Sequence, residues 1–129
     1  MYKRQVATLQ TLRERGLRLG MISNASSELS RLWAESPLAP LFDAALFSAD
    51  EGMMKPDRRL YERTAGLLGV DPASCVFVGD GAYRELQGAE AAGMTAVLIR
   101  VPHDEWEHEG TIGWQGPRIE ALSEVLGLV

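Results

Sequence analysis

The sequence has almost no thiol chemistry. Cys75 is its single cysteine, which excludes an internal disulfide framework and a cysteine-rich zinc site. No apolar run approaches the roughly 20 residues that a bilayer-spanning helix requires. The first residues, Met1 to Arg4, carry charge but no apolar stretch follows them, so they do not read as a secretory signal. Basic side chains are outnumbered 13 to 18, for a net charge of −5. Without a basic stripe, nucleic acid is excluded as a partner. Repeats, low-complexity tracts and long Gly/Ser linkers are also missing. These absences point to the cytoplasm and away from membranes.

What remains is ordinary globular material. Over 129 residues, 46% are hydrophobic and 24% charged, enough for one compact domain spanning residues 1–129. Helical and strand patterns alternate, which is the signature of an α/β domain with a parallel sheet. Val6, Leu9 and Leu12 share a helix face that Gly16 should stop. Leu17 to Ile22 reads as a short strand ending at Ser23-Asn24, and a helix carrying Leu29, Leu32 and Trp33 should follow. Phe42 to Phe47 reads as a weaker strand. Pro56 is expected at the first position of a helix holding Leu60, Tyr61, Ala65 and Leu68. Cys75 to Val78 is the clearest strand, with a helix from Gly81 to Gly93 after it. Thr95 to Ile99 is another strand. A polar loop then leads to a last amphipathic helix using Ile119, Leu122, Val125 and Leu126.

In open parallel sheets, ligands bind beyond the carboxyl ends of the strands. The residues expected there are Ser23-Asn24, Ser48 with Asp50 and Glu51, and Asp80-Gly81. Asp80 follows four apolar strand residues between two glycines, and Glu85 can turn back from the next helix. Two carboxylates without sulfur or imidazole neighbours suit a hard cation such as Mg²⁺, although Asp80 as a helix cap and Glu85 as a solvated residue fit the spacing equally. Lys55 stands before a helix N-terminus, where a cation is disfavoured unless an anion such as phosphate lies nearby; a surface lysine in water is the plainer reading. Ser23 is either a phosphate donor, helped by the backbone N–H groups of Asn24 and Ala25, or a helix cap. His103 and His108 read as a solvated loop, Cys75 as strand filling, and Trp33, Trp106 and Trp114 as packing residues. Gly79-Asp80-Gly81 is no phosphate-cradling P-loop, since the following Lys-Ser/Thr pair is missing.

Taken in order, three segments carry a resemblance: Met21-Ile22-Ser23-Asn24-Ala25, then Lys55-Pro56-Asp57 with Tyr61, then Val76-Phe77-Val78-Gly79-Asp80-Gly81 with Glu85, Gly88 and Ala89. Together with Trp114, Gly116, Ile119 and Leu122, this order resembles the haloacid dehalogenase-like (HAD) hydrolase superfamily over nearly the whole chain. Each motif alone is loose, whereas their order and separation are specific. The resemblance implies a Rossmann-like α/β fold and Mg²⁺-dependent hydrolysis of a small phosphorylated substrate. It implies that Ser23 hydrogen-bonds the transferring phosphoryl group and that Lys55 neutralises it. Asp80 would bind Mg²⁺, with Glu85 at the position of a second acid assisting the metal.

One departure stands beside this agreement. The family's first motif, an apolar strand followed by Asp-x-Asp, is absent, as is the cap segment that selects substrate. The first Asp of that motif is the nucleophile and the second the general acid/base, so this chain is expected to be inactive alone. In relatives, that strand lies between those ending at Ile22 and Val78. The resemblance therefore implies two strand sets facing a gap, with self-association or a complementing N-terminal fragment as the consequence. The competing readings are a degenerate scaffold that binds phosphate or protein without chemistry and, more weakly, a haloacid dehalogenase.

Overall fold

The computed structural model describes residues 2–102 and 107–129. Chain order is α1 (Tyr2–Glu14), β1 (Gly20–Ser23), α2 (Ser27–Trp33), β2 (Ala44–Phe47) and the single turn α3 (Ser48–Glu51), then α4 (Arg58–Leu68), β3 (Val76–Gly79), α5 (Glu85–Ala91), β4 (Thr95–Ile99) and β5 (Arg118–Ile119). The strands form two parallel sheets, β1-β2 and β3-β4-β5. This is the α/β, Rossmann-like architecture that the alternating pattern predicts. β1 and β3 are both edge strands in this arrangement.

Two apolar layers hold the sheets, one on each face. On one face, Tyr61 and Ala65 of α4 and Leu86 and Ala89 of α5 are buried against Ala96 and Leu98 of β4, with Phe77 of β3 and Ile22 of β1 beside them. On the other face, Leu9 and Leu12 of α1 pack on Val97 and Ile119, with Val76, Val78, Leu19 and Phe42 alongside. Alternate strand residues therefore serve opposite layers, as pleat geometry requires. Each fully buried Leu, such as Leu60, Leu86 and Leu98, contributes roughly 1.5–3 kcal/mol of transfer free energy. The α4 layer reaches Ile22 of β1 as well as β3 and β4, and the α1 layer reaches Leu19 and Phe42, just ahead of β1 and β2, so α1 and α4 tie the two sheets together.

Helix boundaries follow local chemistry. Gly16, with φ at +85°, lets the chain reverse after α1. Ser26 caps α2 by accepting a hydrogen bond from the Leu29 N–H. Pro56 does not open α4 as its position suggests. The Lys55–Pro56 peptide is cis, and Asp57 is the cap, accepting from the Arg59 N–H at 3.0 Å. The last segment also differs from expectation. Arg118–Ile119 pairs with β4 as a strand, and Leu122–Gly127 is a 3-10 turn rather than an α-helix. Ile119 is thus buried by strand pairing with β4 and not on a helix face. The expected helix after Gly81 is divided, with a 3-10 turn at Ala82–Arg84 and α5 starting at Glu85.

Cys75 is half-buried just before β3, and burial pushes its thiol pKa up. Trp33 packs edge-on against Phe42, and Trp114 lies against the α4–α5 core, so both are packing residues as expected. Trp106 and His103 lie outside the described residues. Among the described residues, no helix is long and apolar enough to cross a membrane.

Candidate active site

The carboxyl ends of β1 and β3 meet at one rim, and Lys55 joins them. Its main-chain N–H donates to Asn24 Oδ1 at 2.8 Å, while Asn24 Nδ2 donates back to the Lys55 carbonyl at 3.2 Å. This reciprocal clasp fixes Lys55 beside the end of β1. Its side chain then crosses toward β3, passing 5.9 Å from the Phe77 ring centre, and the ammonium reaches Glu85 Oε1 at 2.7 Å. The Lys55 side chain is 11% exposed and that of Glu85 only 5%, so the pair is largely withdrawn from water. The plain reading of Lys55 as a surface residue therefore does not hold.

Glu85 has its second oxygen engaged as well. Oε2 accepts from the Gly81 N–H at 3.0 Å, at the turn that carries Asp80. Gly79 is needed beneath it, because a Cβ there would collide with the Glu85 carboxylate. Tyr61 completes the support by donating its buried hydroxyl to the Glu85 carbonyl at 2.8 Å. Burial is the main cause pushing the Glu85 carboxyl above its ordinary pKa, against the opposing pull of Lys55. Burial and the Glu85 charge also push the Tyr61 phenol upward.

Asp80 lies at the open side of the same rim, with its side chain 60% exposed. One oxygen accepts from the Ala82 N–H at 3.0 Å, so Asp80 stabilises its own turn but does not cap α5. Burial raises the Asp80 pKa, but the hydrogen bond from the Ala82 N–H, the neighbouring Glu85 carboxyl and the charges of His108 and Lys55 outweigh it, and the net shift is downward. His108, which the sequence placed in a solvated loop, has Nε2 3.5 Å from Asp80 Oδ2. Thr111, almost fully buried, brings this loop close by resting its methyl group on Gly81 and donating its hydroxyl to the His108 carbonyl at 2.7 Å. Spacing held no signal for that contact, because the loop returns from beyond β4.

Ser23 ends β1 next to the clasped Asn24. Since Ser26 caps α2, Ser23 is not the cap, and its hydroxyl forms no hydrogen bond among the described residues. The Ala25 N–H is committed to Ser48 Oγ at 2.9 Å, and Ser48 Oγ donates to the Ala25 carbonyl. Neither Ser48 nor the Ala25 N–H is thus a free rim group. Glu51 pairs with Arg63 instead of facing the rim. The structure therefore brings together Ser23, Asn24, Lys55, Asp80 and Glu85, and leaves Ser48 and Glu51 in supporting roles.

For a divalent ion, the donors present are few. Glu85 has both oxygens engaged, and the described residues contain no group of three or more His, Cys, Asp or Glu able to hold a metal. Asp80 offers one accessible hard oxygen ligand. That fits an ion such as Mg²⁺, which keeps several waters and completes its shell with substrate phosphate.

A parallel α/β core thus carries a hydroxyl, a largely buried ammonium and an exposed carboxylate on one rim, where open α/β sheets bind their ligands. The family model for haloacid dehalogenase-like hydrolases matches residues 1–93, and the chain belongs to that family. It is 36% identical over 96 residues to haloacid dehalogenase-like hydrolase domain-containing protein 3 of Bos taurus, covering 74% of this chain and 38% of that protein. It is 34% identical over 100 residues to the phosphoserine phosphatase of Thermus thermophilus, covering 77% of this chain and 40% of the relative. The crystal structure of a HAD phosphatase from Thermococcus onnurineus superposes with a TM-score of 0.81 at 27% identity, over 95% of this chain and 55% of the other. The chain thus spans about 40% of the length of these curated relatives.

Proposed function

We propose that this chain is the phosphoryl-binding and metal-binding part of a Mg²⁺-dependent HAD phosphatase acting on a small phosphorylated metabolite. The observation that carries this reading is the Lys55 ammonium, withdrawn from water yet fixed at the rim by Glu85. A desolvated cation in a fixed position acts on a phosphoryl dianion far more strongly than a hydrated surface lysine does. Ser23 donates its hydroxyl to a phosphoryl oxygen, and the Asn24 backbone N–H lies beside it. Lys55 neutralises the charge that spreads over those oxygens in phosphoryl transfer. Glu85 holds the ammonium in place and balances its charge until the dianion arrives. Asp80 is the Mg²⁺ ligand, and the ion supplies further neutralisation of phosphoryl charge when bound.

Covalent catalysis also needs a nucleophilic carboxylate and a general acid/base, and in this family both come from the motif absent from residues 1–129. The chain alone is therefore a binder without turnover. Its one cysteine and lack of disulfides fit a reducing cytoplasm. The dehalogenase reading is weaker, because Asp80 beside the Lys55–Glu85 pair supplies a metal ligand.

The test combines two measurements. Phosphorus-31 magnetic resonance titration with inorganic phosphate and Mg²⁺ should show binding to the native chain, weakened at least ~10-fold in Lys55→Met, about 1.4 kcal/mol. Para-nitrophenyl phosphate with excess Mg²⁺ should give no hydrolysis above the blank. Equal phosphate binding by both proteins would overturn the reading, and so would hydrolysis that vanishes in Asp80→Asn.

A further inference from the structure

We infer that His108 is a second protein ligand to the ion held at Asp80, and that the site therefore favours an imidazole-binding divalent ion such as Co²⁺, Ni²⁺ or Zn²⁺ over Mg²⁺. This rests on the proposed function for one point only, the role of Asp80 as an ion ligand.

In the sequence, Mg²⁺ is suggested by two carboxylates with no imidazole beside them. The fold changes both halves of that premise. Glu85 has its two oxygens committed, one to Lys55 and one to the Gly81 N–H. In its place an imidazole arrives, with His108 Nε2 standing 3.5 Å from Asp80 Oδ2. Among the described residues, the pair at the open side of the rim is thus one carboxylate oxygen and one ring nitrogen.

The backbone aims both donors. Asp80 Oδ1 accepts from the Ala82 N–H at 3.0 Å, while Oδ2 is the oxygen that faces His108. The His108 carbonyl accepts twice from Thr111, from the hydroxyl at 2.7 Å and from the N–H at 2.9 Å. Thr111 is 1% exposed, and its methyl group rests on Gly81, the residue after Asp80. Beside it, the Gly110 carbonyl accepts from Gln87 Nε2 of α5 at 2.6 Å, and a Cβ on Gly110 would lie 3.3 Å from the Gly81 carbonyl. The loop is therefore docked on the Asp80 turn through contacts that make no use of the imidazole. A ligand pair set by surrounding structure in this way is ready for an ion before the ion binds.

The spacing suits coordination better than a direct bond. At 3.5 Å the two atoms lie beyond the about 2.7–3.2 Å usual for an N–H···O hydrogen bond. An ion ~2.1 Å from each donor bridges that separation at an angle of about 110°. Neutral imidazole is a good ligand for the later first-row ions, whereas Mg²⁺ takes oxygen and gives up its waters reluctantly. With two protein donors, the ion keeps several waters and stays open to a phosphoryl oxygen.

Calorimetric titration of the full chain with Co²⁺ and with Mg²⁺ tests this. Co²⁺ should bind the parent more tightly than Mg²⁺. His108→Ala should weaken Co²⁺ binding at least ~10-fold and change Mg²⁺ binding by less than ~2-fold. His103→Ala, at the other histidine of the sequence, should change neither. The Thr111 bonds end on the His108 carbonyl, which alanine keeps, so the urea midpoint of His108→Ala should match the parent. In the unaltered chain, Zn²⁺ should shift the imidazole nitrogen resonance of His108 and not that of His103. The inference fails if His108→Ala binds Co²⁺ as tightly as the parent or more so, the result for a histidine that is only a charge partner of Asp80. It also fails if Zn²⁺ moves the His103 resonance instead. Asp80→Asn should weaken both ions and keeps the two readings separable. Co²⁺ binding that survives it overturns the ion role of Asp80 and this inference together, whereas binding that needs Asp80 but not His108 overturns the inference alone.

Discussion

The ammonium of Lys55 and the carboxylate of Glu85 meet at 2.7 Å where little solvent reaches either group. Burial is the main influence on the Glu85 carboxyl and pushes its pKa up despite the adjacent cation, and desolvation commonly offsets the attraction within a buried ion pair. The pair thus serves position more than stability. Glu85→Gln should cost ~3 kcal/mol in urea unfolding, because a buried lysine loses its counter-charge. The double variant Lys55→Met/Glu85→Leu should recover most of that loss, and a double variant less stable than Glu85→Gln would refute the assignment.

Asp43 should govern part of the acid sensitivity. It accepts from the Leu19 N–H at 2.8 Å, ahead of β1, and from Arg13 at 3.2 Å on α1. The Leu19 N–H is the main cause holding its carboxyl below the ordinary pKa of 3.8. A lowered folded-state pKa means stability present above that value and lost as pH falls through the lower, folded one. Glu85 has the opposite sign: its raised pKa favours the folded state in acid, and that contribution fades as pH climbs through the folded value. Asp43→Asn should therefore shrink the drop in unfolding free energy between neutral and strongly acidic solution by about 1 kcal/mol or less, since the site is partly exposed. Denaturant titrations at both pH values measure this.

Gly88 should tolerate no side chain. A Cβ there would lie 2.7 Å from the Tyr61 hydroxyl and 2.8 Å from Pro56 Cβ, where α5 approaches the start of α4. Gly88→Ala should destabilise by roughly 1–3 kcal/mol through overpacking, even though alanine is the better helix former. Thermal unfolding of the two proteins decides it, and an unchanged midpoint would contradict the close approach.

Asp80→Asn should separate metal binding from folding. The side chain is exposed and its turn hydrogen bond to Ala82 survives in an amide, so stability should move by less than ~0.5 kcal/mol. Broadening of rim resonances by Mn²⁺, used as a paramagnetic stand-in for Mg²⁺, should disappear. Broadening that persists would place the ion elsewhere.

Much of this was legible in the residues. The strand patterns before Ser23 and Asp80 place both groups on one rim, because a parallel sheet puts all its carboxyl ends together. The role of Glu85 was less legible. Five residues after Asp80 it reads as a companion metal ligand, yet both of its oxygens go to Lys55 and Gly81. Spacing fixes where a carboxylate starts but not which of two partners it reaches. Ile119 and Leu122 suggested a helix because their interval suits one, and pairing with β4 overrode that local preference. The approach of His108 to Asp80 depends on a loop closure that no periodic signal encodes.

The Asn24–Lys55 clasp has a last consequence, one of timing. Amide and peptide groups hold the lysine backbone through two hydrogen bonds that involve neither substrate nor ion. The conformational cost of aligning the two loops is met during folding, before any encounter. On the proposed reading, an incoming dianion would meet a receptor that is already set, with little of its binding energy consumed in ordering it.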